Sequence, residues 1–345
     1  MTRIRAVFAL VALLLALPPL MLVQAIAIRF DLAIARRVPV LFHRFLLALG
    51  GVRVHASGGP ASVRPLVLVA NHVSWLDIVT LTALAPVRFV SKAEVRSWPL
   101  IGWLARLQRS VFIDRGDRST VAGKASEVVE ALRAGDLVVI FPEGTTSDGR
   151  RVLFFKSGLL GAVREAMGAE ALHVQPLAIA HTHAHGLPMG RAKRHLAAYP
   201  GKVRLKDSLS AVVSLAALDI HVDWGEAQPY APGTPRKPFA AALEARVRAM
   251  HAARIADARV VGSRAAGHAT TGRPIDAVIG PRSAPAGTLV IPDELPGPDP
   301  ATARPHDTPT DTPTDTQHDI PPDMPHDVPH DIPPPSPAPL AEAAR

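Results

Sequence analysis

The chain has 345 residues, a net charge of +8 and no cysteine. This length allows one large domain or two small ones. The absence of cysteine excludes disulfides, thiolate metal sites and a cysteine nucleophile. The first 262 residues carry 33 Lys and Arg against 18 Asp and Glu, whereas the remainder is acidic. A basic body favours an anionic partner, but the few aromatic residues are not interleaved with basic ones, which argues against nucleic acid.

The N-terminal segment contains an apolar run of 23 residues without a charge, 6–28. About 20 apolar residues cross a bilayer as a helix, and a signal peptide usually has an apolar core of only ~7–15 residues. The run therefore predicts an uncleaved membrane anchor rather than a cleaved signal or a buried core helix. Pro18 and Pro19 leave open a bend that returns the segment to the same membrane face.

Arginines are more numerous after this run than before it, with five between Arg29 and Arg53. The positive-inside rule then predicts a protein of the inner membrane whose body faces the cytoplasm. Residues 38–49 have the pattern of an amphipathic helix lying near the membrane. Residues 1–49 are thus predicted to be a membrane anchor with an amphipathic helix.

Residues 50–255 alternate short β-branched runs with helical patterns, which predicts an α/β fold with a largely parallel sheet flanked by helices. The predicted strands are Leu66–Ala70, Arg88–Ser91, Val111–Ile113, Leu137–Phe141, Val174–Ala180, Val203–Leu205 and Ile220–Trp224. The clearest helix is predicted over 120–134, with Ser119 as its N-cap and Gly135 at its end.

Residues 256–345 are predicted to be a disordered acidic tail rich in Pro and Asp. From Pro305 a four-residue repeat places an aspartate in every unit and a proline at the end of most units. Such a repeat cannot continue a helix and has too few apolar groups for a core. Its His-Asp pairs leave weak metal binding open, but a solvated tail without chemistry is preferred.

The first motif that carries chemistry is His72-x-x-x-x-Asp77, directly after the strand 66–70. Ligands of open α/β sheets bind at this end of the strands. The two side chains can meet only if a helix starts between them, for which Ser74 is a candidate N-cap. A carboxylate on one ring nitrogen would let the other nitrogen accept a proton, although a structural His–Asp pair remains open.

Two further motifs also follow predicted strands. Glu143-Gly144-Thr145-Thr146 combines a glycine with hydroxyls that can bind an anion, and Arg115 in Phe-Ile-Asp-Arg could hold a phosphate. Each alone could be an ordinary polar turn or a surface ion pair. One sheet edge could gather all three motifs into a site.

These motifs, followed by the apolar Val174–Pro176, occur in an order that resembles the 1-acylglycerol-3-phosphate acyltransferase family of glycerolipid acyltransferases. The resemblance covers about residues 30–250. Gln175 departs from it by separating the Val and the Pro, for which no mechanistic effect is expected. The family's flanking blocks are matched by Lys92 in Phe-Val-Ser-Lys-Ala-Glu and by Lys156 in Phe-Lys-Ser-Gly.

The resemblance implies that His72 is the general base for the hydroxyl of a lysolipid and that Asp77 orients it. The hydroxyl would attack an acyl thioester, carried by acyl carrier protein (acyl-ACP) or coenzyme A (acyl-CoA), without a cofactor or metal. The residues that it implies for substrate binding are Arg115, Glu143, Gly144, Thr145, Thr146, Lys92 and Lys156. It also implies an active site at the cytoplasmic leaflet of the membrane.

Lysophosphatidic acid is the preferred acceptor, and lyso-ornithine lipid is the alternative, which residues 146–149 and 185–191 suggest. A non-enzymatic lipid-binding module and a lipid hydrolase are the competing functions, but a binder has no need for a His–Asp pair. His181, His183 and His185 alternate and would share one face of a strand. Metal binding there is disfavoured because no carboxylate lies nearby in the sequence, so a solvated edge or a substrate-entry rim is expected.

Overall fold

The strand Leu66–Ala70 (β2) is completely buried and lies inside the central sheet. In this computed structural model the structure describes residues 2–113, 118–190, 197–199, 208 and 217–267. Leu66, Leu68 and Ala70 enter one apolar core, and Val67 and Val69 enter a second core on the opposite face. Apolar side chains on both faces are typical of a parallel strand covered by helices on both sides.

The other strands extend the sheet in both directions from β2. They are β1 (Val52–Ser57), β3 (Val87–Lys92), β4 (Val111–Ile113), β5 (Leu137–Ile140), β6 (His173–Ala184), β7 (Leu187–Pro188), β8 (Leu218–Trp224) and β9 (Gln228–Pro229). The strand order is β1-β8-β6-β2-β5-β3-β4, with β7 and β9 paired to β6. Along that order, β6 and β8 are antiparallel and the other neighbours are parallel. The predicted α/β fold with a largely parallel sheet is confirmed.

Helices cover both faces of the sheet. They are α1 (Thr2–Arg29), α2 (Arg37–Gly50), α3 (Leu76–Leu84), α4 (Ile101–Leu107), α5 (Arg118–Arg133), α6 (Gly158–Ala166) and α7 (Arg236–Gly267), with 3₁₀ turns at Ala33–Arg36 and Ala93–Ser97. Helices α2 and α3 pack on one core, whereas α5, α6 and α7 pack on the other.

Six of the seven predicted strands correspond to observed strands, and the two-residue strands β7 and β9 were not predicted. Val203–Leu205 lies outside the described residues. Strand β1 was not predicted, because it lies at the sheet edge and only its first residue is fully buried. Ser119 is not the N-cap of α5, since the helix already begins at Arg118. The predicted end of this helix is confirmed: Gly135 has a φ of +78°, a conformation that favours glycine.

The N-terminal helix α1 is continuous through Pro18 and Pro19, so the segment does not bend back on itself. Its apolar part, Val7–Arg29, is long and apolar enough to cross a membrane and is largely exposed. The side-chain amide of Gln24 donates to the carbonyls of Ala35 at 3.0 Å and Leu107 at 2.8 Å. These bonds connect α1 to the 3₁₀ turn before α2 and to the end of α4.

The C-terminal helix α7 continues past residue 255 to Gly267, beyond the predicted end of the body. Residues 268–345, which form most of the predicted tail 256–345, lie outside the described residues.

At Gly102, helix α4 packs closely against the backbone of the preceding 3₁₀ turn. A Cβ at this position would lie 2.3 Å from the carbonyl oxygen of Arg96 and 2.7 Å from that of Val95. We expect Gly102→Ala to lower the free energy of unfolding by about 1–3 kcal/mol, because backbone must shift to make room. Denaturant unfolding in detergent would measure this.

Gly123→Ala is the matched control, since a Cβ at this site in α5 meets nothing within 4 Å. It should change stability by no more than ~1 kcal/mol, in the stabilising direction. Equal stability of the two variants would show that α4 does not pack as described.

Candidate active site

The loop after β2 places the side chains of His72 and Asp77 in contact. Helix α3 begins at Leu76, so His72 precedes the helix and Asp77 lies in its first turn, as the spacing predicted. Nδ1 of His72 donates to Oδ2 of Asp77 at 2.8 Å. Ser74 lies one residue before the cap position; its hydroxyl accepts from the amide of Leu76 at 3.4 Å.

The Asp77 carboxylate is fully buried and accepts from several donors. The amides of Val73 and Ser74 donate to Oδ2 at 2.6 and 2.8 Å, and Nε2 of His181 donates to Oδ1 at 3.2 Å. Burial alone would raise the pKa of Asp77, but the hydrogen bonds from His181 and His72 hold this pKa well below its ordinary value. The carboxylate is therefore charged at neutral pH.

The His72 ring is held from its face as well as from Nδ1. It stacks on Phe141, with ring centroids 4.0 Å apart and planes at 11°, and Phe141 stacks in turn on Phe89. Within the described residues Nε2 of His72 makes no protein hydrogen bond, and the ring lines a cavity. This geometry fixes the ring while leaving Nε2 to meet a substrate. The stacking of Phe141 on His72 was not predicted from the sequence, although Phe141 directly precedes Pro142-Glu143.

The segment after β5 interlocks with the His72 loop. The amide of Ser147 donates to the carbonyl of His72 at 2.7 Å. The Thr146 hydroxyl donates to the carbonyl of Tyr199, whose amide donates to the carbonyl of Val73 at 2.9 Å. Gly144 allows the turn with a φ of +72°. Gly144, Thr145 and Thr146 line the same cavity as His72, so two of the predicted motifs meet.

Glu143 has a different position from the rest of its motif. Its side chain is only 2% exposed and is not among the residues that line the cavity. Burial raises the pKa of Glu143 to about 8, and the backbone amides of Leu153 and His72 offset this only in part. The carboxyl is thus largely protonated at neutral pH and lies inside the fold instead of facing an acceptor.

The three predicted cationic residues lie in different surroundings. Lys92 is exposed at the end of β3 and lines the cavity, together with Glu94. Lys156 is exposed and is not among the cavity-lining residues; its backbone amide donates to the carbonyl of Pro142 at 2.9 Å. Arg115 lies outside the described residues. Glu94 ends the Phe-Val-Ser-Lys-Ala-Glu block, but it was not predicted as a site residue.

The expectation that His181, His183 and His185 share a solvated face is wrong. A β-bulge between His181 and His183 reverses the alternation of β6. His181 is buried against Asp77, whereas His183 is partly exposed and its Nδ1 lies 2.9 Å from the Thr182 hydroxyl. In the described part of the chain, no group of three or more His, Asp or Glu side chains could hold a metal ion.

The cavity has a volume of about 890 Å³ and extends from His72 to the N-terminal helix. Its apolar wall is formed by α1, α2 and α4. The residues include Leu13, Leu17, Leu20, Phe42, Leu46, Trp98, Ile101 and Leu104. Among the described residues that line the cavity, Lys92 and Glu94 are the only Lys, Arg, Asp or Glu residues. The cavity therefore joins a polar rim beside His72 to a long apolar interior.

Known proteins are similar to this chain in sequence and fold. Residues 52–180 match the family model described as Acyltransferase. The lyso-ornithine lipid O-acyltransferase of Brucella abortus is 44% identical over 248 residues, which cover 71% of this chain and 91% of that protein. The 1-acyl-sn-glycerol-3-phosphate acyltransferase of Neisseria meningitidis serogroup B is 36% identical over 169 residues, 48% of this chain and 62% of that protein.

The crystal structure of the 1-acyl-sn-glycerophosphate acyltransferase of Thermotoga maritima has the same fold. Its TM-score is 0.50 at 22% identity, with 73% of this chain and 96% of that chain covered. The fold and the relatives together identify an acyltransferase. The chain belongs to the lysolipid acyltransferase family, which includes 1-acyl-sn-glycerol-3-phosphate acyltransferases and lyso-ornithine lipid O-acyltransferases.

The raised pKa of Glu143 predicts a specific dependence of stability on pH. The folded state binds this proton up to about pH 8, and the unfolded chain releases it near 4.5. Stability from this group is therefore complete below about pH 4.5 and decreases as the pH rises towards 8. Glu143→Gln, which mimics the protonated form, should gain roughly 2–4 kcal/mol relative to the wild type between pH 5 and pH 8.

Urea unfolding of both proteins in the same detergent at several pH values would measure this difference. Glu244→Gln is a control for loss of a nearby carboxylate: its remaining oxygen can still accept from the Phe155 amide, although the ion pair with Arg248 is lost. A gap between Glu143→Gln and the wild type that does not change with pH would contradict a buried, protonated Glu143.

Proposed function

We propose that the protein transfers an acyl chain from a thioester to the free hydroxyl of a lysolipid, with His72 as the general base. The observation that supports this most directly is the His72–Asp77 pair at the polar end of an apolar cavity. The chain provides no cysteine for a thioester intermediate with the enzyme. Direct attack by the acceptor hydroxyl requires none.

In the proposed step, Nε2 of His72 removes the proton of the lysolipid hydroxyl as its oxygen attacks the thioester carbonyl. The buried Asp77 carboxylate stabilises the imidazolium through Nδ1. When the tetrahedral intermediate collapses, the carbon–sulfur bond breaks and the imidazolium returns the proton to the departing thiolate. One ester forms, one thioester is consumed and His72 is restored.

The apolar interior of the cavity is proposed to hold an acyl chain. Its volume of about 890 Å³ lies within the usual range for ligand sites of ~300–1,000 Å³. Leu13, Leu17 and Leu20 of α1 form part of its wall. A chain lying against α1 would extend towards the bilayer, if α1 crosses the inner membrane with the body on the cytoplasmic side. The donor is acyl-ACP or acyl-CoA, both of which are anionic and suit a basic body.

We propose lyso-ornithine lipid as the acceptor, ahead of the lysophosphatidic acid that the motif order favoured. The lyso-ornithine lipid O-acyltransferase of Brucella abortus is more similar to this chain than the 1-acyl-sn-glycerol-3-phosphate acyltransferase of Neisseria meningitidis, and it matches more of this chain's length. Ornithine carries a carboxylate and a side-chain ammonium. Lys92 and Glu94 at the cavity rim offer one charge of each sign to such a headgroup. A phosphate monoester would be attracted by Lys92 but repelled by Glu94, which has no counterpart charge in that headgroup.

The predicted segments keep their proposed roles. Residues 1–49 would anchor the chain, residues 50–255 with the rest of α7 would perform the transfer, and the acidic tail would contribute no chemistry. Glu143 would support the loop from inside the fold. Arg115, Thr145 and Thr146 would contact the polar head.

An acceptor panel tests the proposal. Membranes that contain the wild type, His72→Ala, Glu94→Gln or the control His55→Ala would receive labelled acyl donor with lyso-ornithine lipid, lysophosphatidic acid or no acceptor. We expect the wild type to form ornithine lipid and His72→Ala to lose about 10²–10⁴-fold of that rate. His55→Ala, on the β1 edge, should retain it.

Glu94→Gln should raise KM for lyso-ornithine lipid about 5- to 20-fold and leave lysophosphatidic acid unaffected or improved, since it removes a repulsive charge. Label in phosphatidic acid alone would reassign the acceptor. Free fatty acid as the main product, or equal rates for the wild type and His72→Ala, would contradict the proposed reaction.

A further inference from the structure

We propose that His181 is a positioning residue for the acyl transfer. Its Nε2–H holds Oδ1 of Asp77, so that Oδ2 stays directed at Nδ1 of His72. This inference rests on the proposed role of His72 as the base. His181 is a second imidazole on the far side of the same carboxylate, 104 positions from Asp77 in the chain.

The two carboxylate oxygens of Asp77 accept hydrogen bonds from different parts of the fold. Oδ2 accepts from His72 and from the amides of Val73 and Ser74, all within the loop after β2. Among the described residues, Oδ1 accepts from His181 alone. The orientation of the carboxylate plane therefore depends on one donor that comes from strand β6.

The position of His181 is produced by the bulge in β6. Leu177 and Ile179 face the core beneath α3, and His181 continues this alternation towards Asp77. After the bulge the phase is reversed, so Ala184 faces that core and His183 does not. Bulges next to active sites commonly re-aim side chains in this manner. Here the bulge keeps one imidazole at the carboxylate and directs the next one away.

The surroundings of His181 define which ring nitrogen carries the proton. The side chain is 4% exposed, and its Nδ1 is buried without a hydrogen-bond partner within the described residues. A proton on Nε2 satisfies the carboxylate, whereas the other tautomer would direct a lone pair at an anionic oxygen. His181 is thus a fixed donor to Asp77.

Loss of this donor would leave an anionic oxygen buried without a partner, which is costly. The carboxylate would then rotate towards another donor or bind a proton. Either change weakens its support for the imidazolium of His72 during the transfer. The binding of the lysolipid, which takes place at the cavity rim, would be little affected.

The test compares His181→Leu, which removes the donor, with His181→Gln, whose amide can replace Nε2–H. His183→Leu on the other side of the bulge is the matched control. The full-length proteins would be assayed in membranes with the preferred lysolipid over pH 5–9, and their folding checked by thermal unfolding in detergent. His72→Ala in the same series reports on the proposed function independently.

We expect His181→Leu to lower kcat roughly 10- to 100-fold, with KM for the lysolipid within about threefold of the wild type. The titratable side chains that face Asp77 are His72, His181 and Glu143. Asp77 with one donor fewer binds a proton more readily, so the acid limb of the rate profile should move to higher pH. His181→Gln should recover most of kcat, and His183→Leu should match the wild type.

A folded His181→Leu with the kcat and pH profile of the wild type would overturn the inference, while loss of activity in His72→Ala would still support the reaction. Equal impairment of folded His181→Leu and His181→Gln would also overturn it, because packing rather than the hydrogen bond would then be responsible. If His181→Leu does not fold, His181→Asn replaces it. Its shorter amide does not reach Oδ1, so an Asn variant as active as the Gln variant would contradict the proposal.

Discussion

The burial of one charged carboxylate determines the arrangement of this site. Asp77 is inaccessible to solvent and remains ionised because donors surround it: His72, His181 and two backbone amides. A buried charge without such partners would be strongly destabilising. The same bonds that stabilise the charge fix the tautomer and direction of the His72 ring, so stability and the proposed catalysis depend on one set of contacts.

The parallel sheet brings these donors together. The loops after β2 and β5 meet because neighbouring parallel strands end at the same edge, and the bond from the Ser147 amide to the His72 carbonyl joins them. On the other side of the cavity, Gln24 ties α1 to α4, so the apolar wall and the polar rim belong to one structure. An acyl chain and a polar headgroup can then approach His72 from opposite ends of one cavity.

Short runs of β-branched residues were sufficient to predict the buried strands, and the length of the uncharged apolar run predicted the N-terminal helix. The spacing of His72 and Asp77 around a helix start predicted their contact. Prediction failed where tertiary structure changes the local pattern. The bulge at residues 181–183 reverses the alternation of β6, and nothing in His-Thr-His indicates a bulge. Glu143 is buried, and its surroundings include Glu244, which is distant in the chain, so its environment could not be inferred from the local motif. Glu94 lines the cavity from the 3₁₀ turn after β3, and the sequence alone does not show which side chains of that turn reach the cavity.

We propose that the charge of Asp77, and not only its shape, supports the acyl transfer. The most direct measurement is the kcat of Asp77→Asn with the preferred lysolipid, beside thermal unfolding in detergent. The Asn oxygen can still accept from the loop donors. Its amide can donate to Nε2 of His181 once the proton of that ring moves to Nδ1, so the fold should be retained. We expect kcat to fall by about 10³-fold or more, because a neutral amide cannot stabilise the imidazolium. A folded Asp77→Asn protein with kcat within threefold of the wild type would contradict it.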